Sequence, residues 1–567
     1  MKNIIYKRIL KHFFTGIFLV FAFIGCEDYL DVDVDSDSPT IAPQNQLLPN
    51  IHVGVANMAD FNFWSGDMLQ VYTHQFTARE EQDQYGTKAD NINLNNDWDN
   101  FYLTLTDIET LIAQSTESGD NVYIGIAQIL KAYMVSVAVD LWGDIPLSEA
   151  TLLEQGVVSP VFDDQEAVYQ TVLDLIDEGK ANVASGAGNN FPAGDDLFYG
   201  GATANWVKFA NTLKFKLYNQ IRTTALFDQS DFNALVADDN FLTSSADDFQ
   251  FTHTANQAPT DERNQLFISA YGGAQVTYYG SPWFYEILRG VNPNIHTGNP
   301  DPRLAYYFVN QLVPGQFPRD QGDAVTGDPN ADYWDASTGF FSIRFGSIGP
   351  DRDGAVQNDA TFPGIFPCGG RYDDGQGFAR TIASGTGVAP RRILTYDEFL
   401  YIQAELILDG VLPGDAGVKL REAMEASFAK VDEVVAGTGT TQAVPTLSGS
   451  TEVNDFMDAI IAEYDAASDA KKLEIIMTQK WVATFADPMD QYTDYRRTGY
   501  PILADPSGSQ SPEYQLDNGD GFPLLDNLTV LNNPFQLSFF WPQPELNLNQ
   551  NAPAQKDPGT YSIFWDN

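Results

Sequence analysis

Residues Asn121 to Ala150, NVYIGIAQILKAYMVSVAVDLWGDIPLSEA, carry the strongest helical signal in the chain. Apolar side chains at Val122, Ile126, Ile129, Tyr133, Val137 and Leu141 recur at three- and four-residue steps, so one face of a long helix is buried. Gly125, Ala127, Ala132 and Ala138 lie between the large residues and let a neighbouring helix come close. Gly143 and Pro146 then stop the helix. The stretch is a helix-packing element that needs partners.

Those partners are predicted on both sides. Helical patterns run over about 45–59, 64–77, 97–117, 164–184, 203–225, 396–409, 416–432, 453–466 and 469–486, and strand signals are few and short. In the 203–225 pattern Trp206, Phe209, Leu213 and Leu217 share one face, with Lys208, Lys214 and Lys216 largely elsewhere. From about 226 to 394 Gly, Pro, Asp and aromatics dominate and turn signals such as NPDPRL, TGDPNADYW and DDGQG crowd together. Loops longer than about 15 residues inside a compact protein are usually functional or disordered, and this one is too aromatic for disorder. The fold class expected is mainly α, with a loop-rich insertion that carries the function.

At the N-terminus Lys2, Lys7, Arg8 and Lys11 precede the apolar run FFTGIFLVFAFIG, which Cys26 follows. A basic region, a short apolar region and a small residue before the cut read as a secretory signal over 1–25, too short for a convincing spanning helix. Residues 26–43 begin EDYLDVDVDSDS after the cysteine and read as an acidic, solvated tether. The DVDVDSDS run is not an EF-hand loop, because Ser36 and Ala42 stand where Gly and Glu are needed. Phe23-Ile24-Gly25-Cys26 resembles a bacterial lipobox, which implies an acylated Cys26; Cys26 and Cys368 are the two cysteines of the chain, so no intramolecular disulfide is then expected and Cys368 is expected in the core. The acyl chains that this resemblance implies would contribute about 0.8 kcal/mol per buried CH₂ and anchor the chain to a membrane.

The net charge of −46 opposes binding to nucleic acid or anionic headgroups, which need a basic surface, and is of a kind that salty water screens. Beyond the signal, His52, His74, His253 and His296 are isolated and form no HExxH pattern, so no metal site is predicted from them. There is no G-x-S-x-G elbow, P-loop or Rossmann turn, and with 77 acidic residues carboxylate pairs occur by chance. The reading is a binding protein rather than an enzyme, with no cofactor. GDPNADYWD at 327–335 offers Asp328, Asp332 and Asp335 to calcium, but an acidic turn without metal is the expected state.

LWGDIPLSEA at 141–150, DPRL at 301–304, YIQAELIL at 401–408, RRTGYP at 496–501 and WPQPELNLNQN at 541–551, together with the FIGC lipobox at 23–26, resemble SusD/RagB-type nutrient-binding lipoproteins, in order and over nearly the whole chain. The resemblance implies a single SusD-like domain over 44–567: a superhelical scaffold of tetratricopeptide-like helix-turn-helix units over about 44–225 and 395–500, the ligand-binding insertion over about 226–394, and a closing segment over about 501–567. It also implies lipidation at Cys26, display on the outer face of the outer membrane, and a SusC-like TonB-dependent transporter as partner in polysaccharide utilisation.

Sugar rings carry apolar C–H faces edged by hydroxyls, so a glycan site wants flat aromatics beside Asp, Asn or Gln. DFNFWSGDMLQ offers Trp64 flanked by Asp60, Asn62 and Asp67, with Gln82, Asp83 and Tyr85 shortly after. VTYYGSPWFYE offers Tyr278, Tyr279, Trp283 and Tyr285 around a Gly-Ser-Pro turn expected to hold them in a loop, and ADYWD adds Tyr333 and Trp334. The acidity favours a neutral glucan, a laminarin-like β-1,3-glucan first and an α-glucan second. A peptide-binding lid of the RagB type is the second reading and a surface glycoside hydrolase the third.

Overall fold

The computed structural model describes residues 42–79, 81–273, 276–318, 333–346, 358–503 and 531–566. Cys26, the signal, nearly all of the tether, Asp328 and Asp332 lie outside the described residues. Helices of six residues or more are labelled in chain order. The Asn121 stretch forms α4 (Asn121–Trp142), packed in sequence between α3 (Ile92–Ser118) and α5 (Gln165–Ser185), with α6 (Thr203–Ile221) against α5 and α1 (Gln44–Asn57) against α3. By length and hydropathy α4 could cross a membrane, but 89% of its apolar window is buried among these neighbours, as befits a core helix.

The small residues do what their spacing predicts. A Cβ on Gly125 would stand 2.5 Å from the Gly179 carbonyl, and one on Gly179 2.8 Å from that of Gly125, so α4 and α5 cross backbone to backbone there. A second group pairs α9 (Tyr396–Leu408) with α10 (Ala416–Gly437) and α12 (Asp469–Ala483), and α11 (Thr451–Ala466) with α10. The side chains of Asp164, Asp415, Ser450 and Ser468 accept first-turn N–H groups of α5, α10, α11 and α12, and Gly119 and Gly186 end α3 and α5 in left-handed conformation. The architecture is mainly α, of antiparallel helical pairs resembling tetratricopeptide units.

Several boundaries differ from expectation. The helix expected over 64–77 is only α2 (Gly66–Tyr72); β1 (Phe76–Ala78) follows and pairs antiparallel with β3 (Tyr278–Gly280). The region from 226 to 394 also holds helix, in α7 (Gln229–Asp238), and β2 (Phe249–Phe251) pairs with β8 (Arg391–Leu394) to tie its two ends together. The loop expected around Trp283 is α8 (Pro282–Arg289), because Pro282 at the first helical position presets the backbone and Gly290 ends it in left-handed conformation. Asp487-Pro488 likewise opens α13 (Pro488–Thr498) rather than only closing the helix before it. Further short pairs join β4 (Phe308–Val309) to β7 (Phe362–Pro363) and β5 (Tyr333–Asp335) to β6 (Phe340–Ser342).

The sequence motifs meet as joints. Glu405 on α9 binds Arg497 of α13 at 2.8 Å, Arg222 after α6 at 2.7 Å, and Asn219 of α6 at 3.0 Å. Burial alone would raise its carboxyl, but the two guanidinium groups hold it down at about 2. Arg496 donates to the Asp140 carbonyl at 2.8 Å and the Leu537 carbonyl at 2.7 Å, lying over the rings of Tyr492 and Trp565. Trp541 Nε1 donates to the Asp144 carbonyl at 2.9 Å and Trp565 Nε1 to Asp140 Oδ1 at 2.8 Å, so α14 (Gln543–Leu548) and its flanks clasp the end of α4. In DPRL, Arg303 is paired with Asp301 and reaches Ser427 and Gln479, both at 2.9 Å, joining the insertion to α10 and α12. Cys368 is a buried free thiol, as expected of a core residue.

Candidate functional site

A cleft of about 680 Å³ opens between the Asn62–Phe63 turn, the start of α3, the segment 261–273 and Tyr278. Its shape follows from an unusual backbone. Ala59, Asn62 and Phe63 all adopt positive φ (54°, 64° and 77°), a left-handed conformation that costs a side-chain-bearing residue about 1–3 kcal/mol. Two buried carboxylates hold it. Asp67 accepts the N–H groups of Asn62 at 3.2 Å and Phe63 at 3.1 Å; Asp97 accepts those of Ala59 at 2.9 Å and Ser65 at 2.6 Å. Asn96 and Asn93 clamp the carbonyls of Phe63 and Trp64 at 2.8 and 3.1 Å. Gly66 is required, since a Cβ would meet the Asp60 carbonyl at 2.3 Å.

The product of that strain is Phe63, an apolar ring left 62% exposed at the cleft. Ile92 and Ile382 extend the apolar rim, and Asn62, Gln82, Asn91 and Asn93 supply amide groups. Asn62 also donates to Gln265 across the cleft at 3.1 Å. Arg263 is held by Asp261 through bonds of 2.9 and 2.6 Å, so the cation of this wall is neutralised. Burial pushes the Asp67 carboxyl up to about 7, against its two N–H donors, with Asp60 and Asp97 adding to the rise. Burial likewise pushes Asp97 up to about 6.

The residues singled out from sequence divide sharply. Asp67 and Tyr278 line the cleft, Asp67 as the buried holder of the turn and Tyr278 as a half-buried wall. Trp64 is half-buried beside Phe63. Asp83 is buried and accepts the Gly346 N–H at 3.0 Å; Tyr85 is buried among Tyr72, Phe345 and Phe535. Trp334 is half-buried, edge-on to Phe317.

The expected platform around the Gly-Ser-Pro turn is a core element instead. Tyr279 is buried, Trp283 is 4% exposed with Nε1 bonded to the Ile502 carbonyl at 3.0 Å, and Tyr285 stacks on Phe340 at 3.8 Å. The physical reason is area: each ring removes about 150–250 Å² from water, and β3 turns Tyr279, and α8 Trp283 and Tyr285, into the core. Phe63, Ile92, Ile382 and Arg263 were not singled out from sequence. The available signal was Asn62, a residue tolerant of left-handed backbone, just ahead of Gly66.

Elsewhere, Glu398, Asp487 and Asp490 bring carboxylate oxygens within 4.8 Å of one another. Lys216 contacts Asp490, and Lys216 and Lys480 lie 3.6 and 3.4 Å from Glu398, so ammonium groups supply the positive charge a metal would bring. Asp335, one member of the calcium reading, accepts from Ser337 N at 2.8 Å and Tyr285 OH at 2.7 Å.

Residues 36–523 match the family model described as "SusD-like_2: Starch-binding associating with outer membrane". No curated protein matches the chain. Among solved structures, a SusD homologue from Bacteroides fragilis is 17% identical with a TM-score of 0.62, covering 93% of this chain and 99% of its own. A SusD/RagB family protein from Bacteroides thetaiotaomicron is 18% identical with a TM-score of 0.63, covering 93% and 99%. A chitin-binding SusD homologue from Flavobacterium johnsoniae is 19% identical with a TM-score of 0.61, covering 92% and 98%. At these identities the likeness is one of fold.

Proposed function

The chain belongs to the SusD-like family, whose description is starch-binding and associated with the outer membrane, and on that premise we propose that it captures a neutral glycan at the Phe63 cleft without cleaving it. The observation that carries this reading is the strained turn: buried Asp67 and Asp97 hold three left-handed residues so that one ring stands exposed beside a ring of amides. An apolar ring edged by amide donors and acceptors matches a pyranose, which has an apolar face and hydroxyl edges. The neutralised Arg263 and the overall charge of −46 favour uncharged over anionic polymers. Asp67 holds the turn and Asp261 holds Arg263, so both carboxyls of this cleft have structural roles.

The lipobox cysteine, Cys26, anchors the protein to the outer face of the outer membrane through the tether at 26–43, and a SusC-like TonB-dependent transporter receives the ligand. A neutral glucan is the ligand class, with laminarin-like β-1,3-glucan ahead of α-glucan. Affinity electrophoresis in gels containing laminarin, starch, chitin oligosaccharides or alginate tests this. Retardation by a neutral glucan, lost in Phe63→Ala, is expected. Retention only by alginate, a thermal shift with peptide mixtures alone, or release of reducing ends would each contradict it.

A further inference from the structure

A second cavity, of about 320 Å³, lies between α8, the loop after it, and α12. Its apolar wall is Trp283, Ile287, Ile295 and Ile502. Its polar groups are incomplete. Asn292 is 1% exposed; its Oδ1 accepts the Asn294 N–H at 2.9 Å and its carbonyl accepts Thr297 Oγ1 at 2.7 Å, which fixes the residue and leaves Nδ2 with no partner. Thr478, also 1% exposed, has no partner for Oγ1. Buried polar groups without partners cost free energy, and they recur in native proteins where water or a ligand completes them. Glu474 adds an acceptor, and Lys471 neutralises it at 2.6 Å while also holding the Asn294 carbonyl at 2.7 Å.

We propose that this cavity is a second ligand site, taking one hexose-sized, uncharged, hydroxylated ring through Asn292, Thr478 and Glu474 on one side and the Trp283 wall on the other. The size is near the lower end of small-ligand pockets, about 300 Å³, so it holds a single ring rather than a chain. The balanced Lys471–Glu474 pair gives neither an acid nor an amine a net partner, which selects a neutral polyol. Trp283, absent from the Phe63 cleft, acquires its ligand contact here. None of these residues lines the first cleft, so the two sites are separable.

The test is a titration of the full chain with D-glucose, D-galactose, D-xylose and N-acetylglucosamine, followed by tryptophan fluorescence, saturation-transfer NMR and thermal shift. At least one sugar is expected to saturate at millimolar concentration. Thr478→Val, which keeps the shape and removes the hydroxyl, is expected to weaken that response at least tenfold. Ile287→Trp, which fills the cavity, is expected to abolish it while the chain still melts cooperatively. No saturable response to any sugar, meaning water alone completes the site, overturns the proposal. A response lost in Phe63→Ala but retained in Thr478→Val and Ile287→Trp does so too.

Discussion

The joint at Glu405 and the turn at Phe63 are both built from buried carboxylates, but they use them in opposite ways. At the joint, two arginines and an asparagine surround Glu405 and hold it ionised. At the turn, Asp67 receives the N–H groups of Asn62 and Phe63 and the Asn93 amide at 3.5 Å, and lies near two other carboxylates, so burial raises its pKa. Charges matched by opposite charges make a rigid frame; charges matched by backbone donors shape a strained loop and leave it sensitive to pH. The molecule places the first kind between helices and the second at the cleft.

The largest effect that separates the two is expected at the joint. Glu405→Ala removes the partner that Arg497 and Arg222 share, leaving them Asp494 and Asp409, and should destabilise the chain by about 3 kcal/mol in urea unfolding, the lower end for a broken buried pair. A loss below about 1 kcal/mol would mean that the frame does not depend on this joint. Because Glu405 is depressed in the folded state, its contribution is present at neutral pH and is lost as the pH falls from the ordinary carboxylate range through its folded value near 2.

The turn should show the reverse sign. Asp67 is raised to about 7 and Asp97 to about 6, so the folded chain binds more protons there than the unfolded one between about pH 4 and 7. Their contribution is therefore greatest in acid and is lost as pH rises through 6 to 7. Relative to Asp67→Asn, the wild type should lose roughly 2 kcal/mol of unfolding free energy from pH 5 to 8. A difference that stays constant across that range would remove the distinction between the two regions.

A smaller effect sharpens the picture of the frame. Gly125→Ala pushes a Cβ against the Gly179 carbonyl and should cost about 1–3 kcal/mol, seen as a lower melting temperature. An unchanged melting temperature would show that α4 and α5 can separate at little cost.

This division also explains what was legible in the sequence. The helices are readable from apolar spacing, and LWGDIP, DPRL, YIQAELIL, RRTGYP and WPQPEL are readable by their resemblance to SusD/RagB lipoproteins; in the structure Asp144 meets Trp541 and Glu405 meets Arg497, while Arg303 joins α10 and α12. A small part of the candidate site is readable in DFNFWSGD, where Asn62 and Asp67 flank the aromatics. The display of Phe63 rather than Trp64 was not, because it depends on positive φ angles enforced by Asp97, 34 residues downstream of Phe63 in α3. Tyr279, Trp283 and Tyr285 misled because aromatics near Gly and Pro look alike whether they face solvent or open a core helix. Pro282 at the first helical position decided between them.

The most direct test of the account is a calorimetric titration of Phe63→Ala beside wild type, using oligosaccharides of whichever neutral glucan retards the protein most. Truncating an exposed ring makes no cavity, so the melting temperature should hold while affinity falls by about 1–2 kcal/mol. Undiminished affinity in a folded Phe63→Ala chain would contradict the claim that the strained turn exists to present this ring.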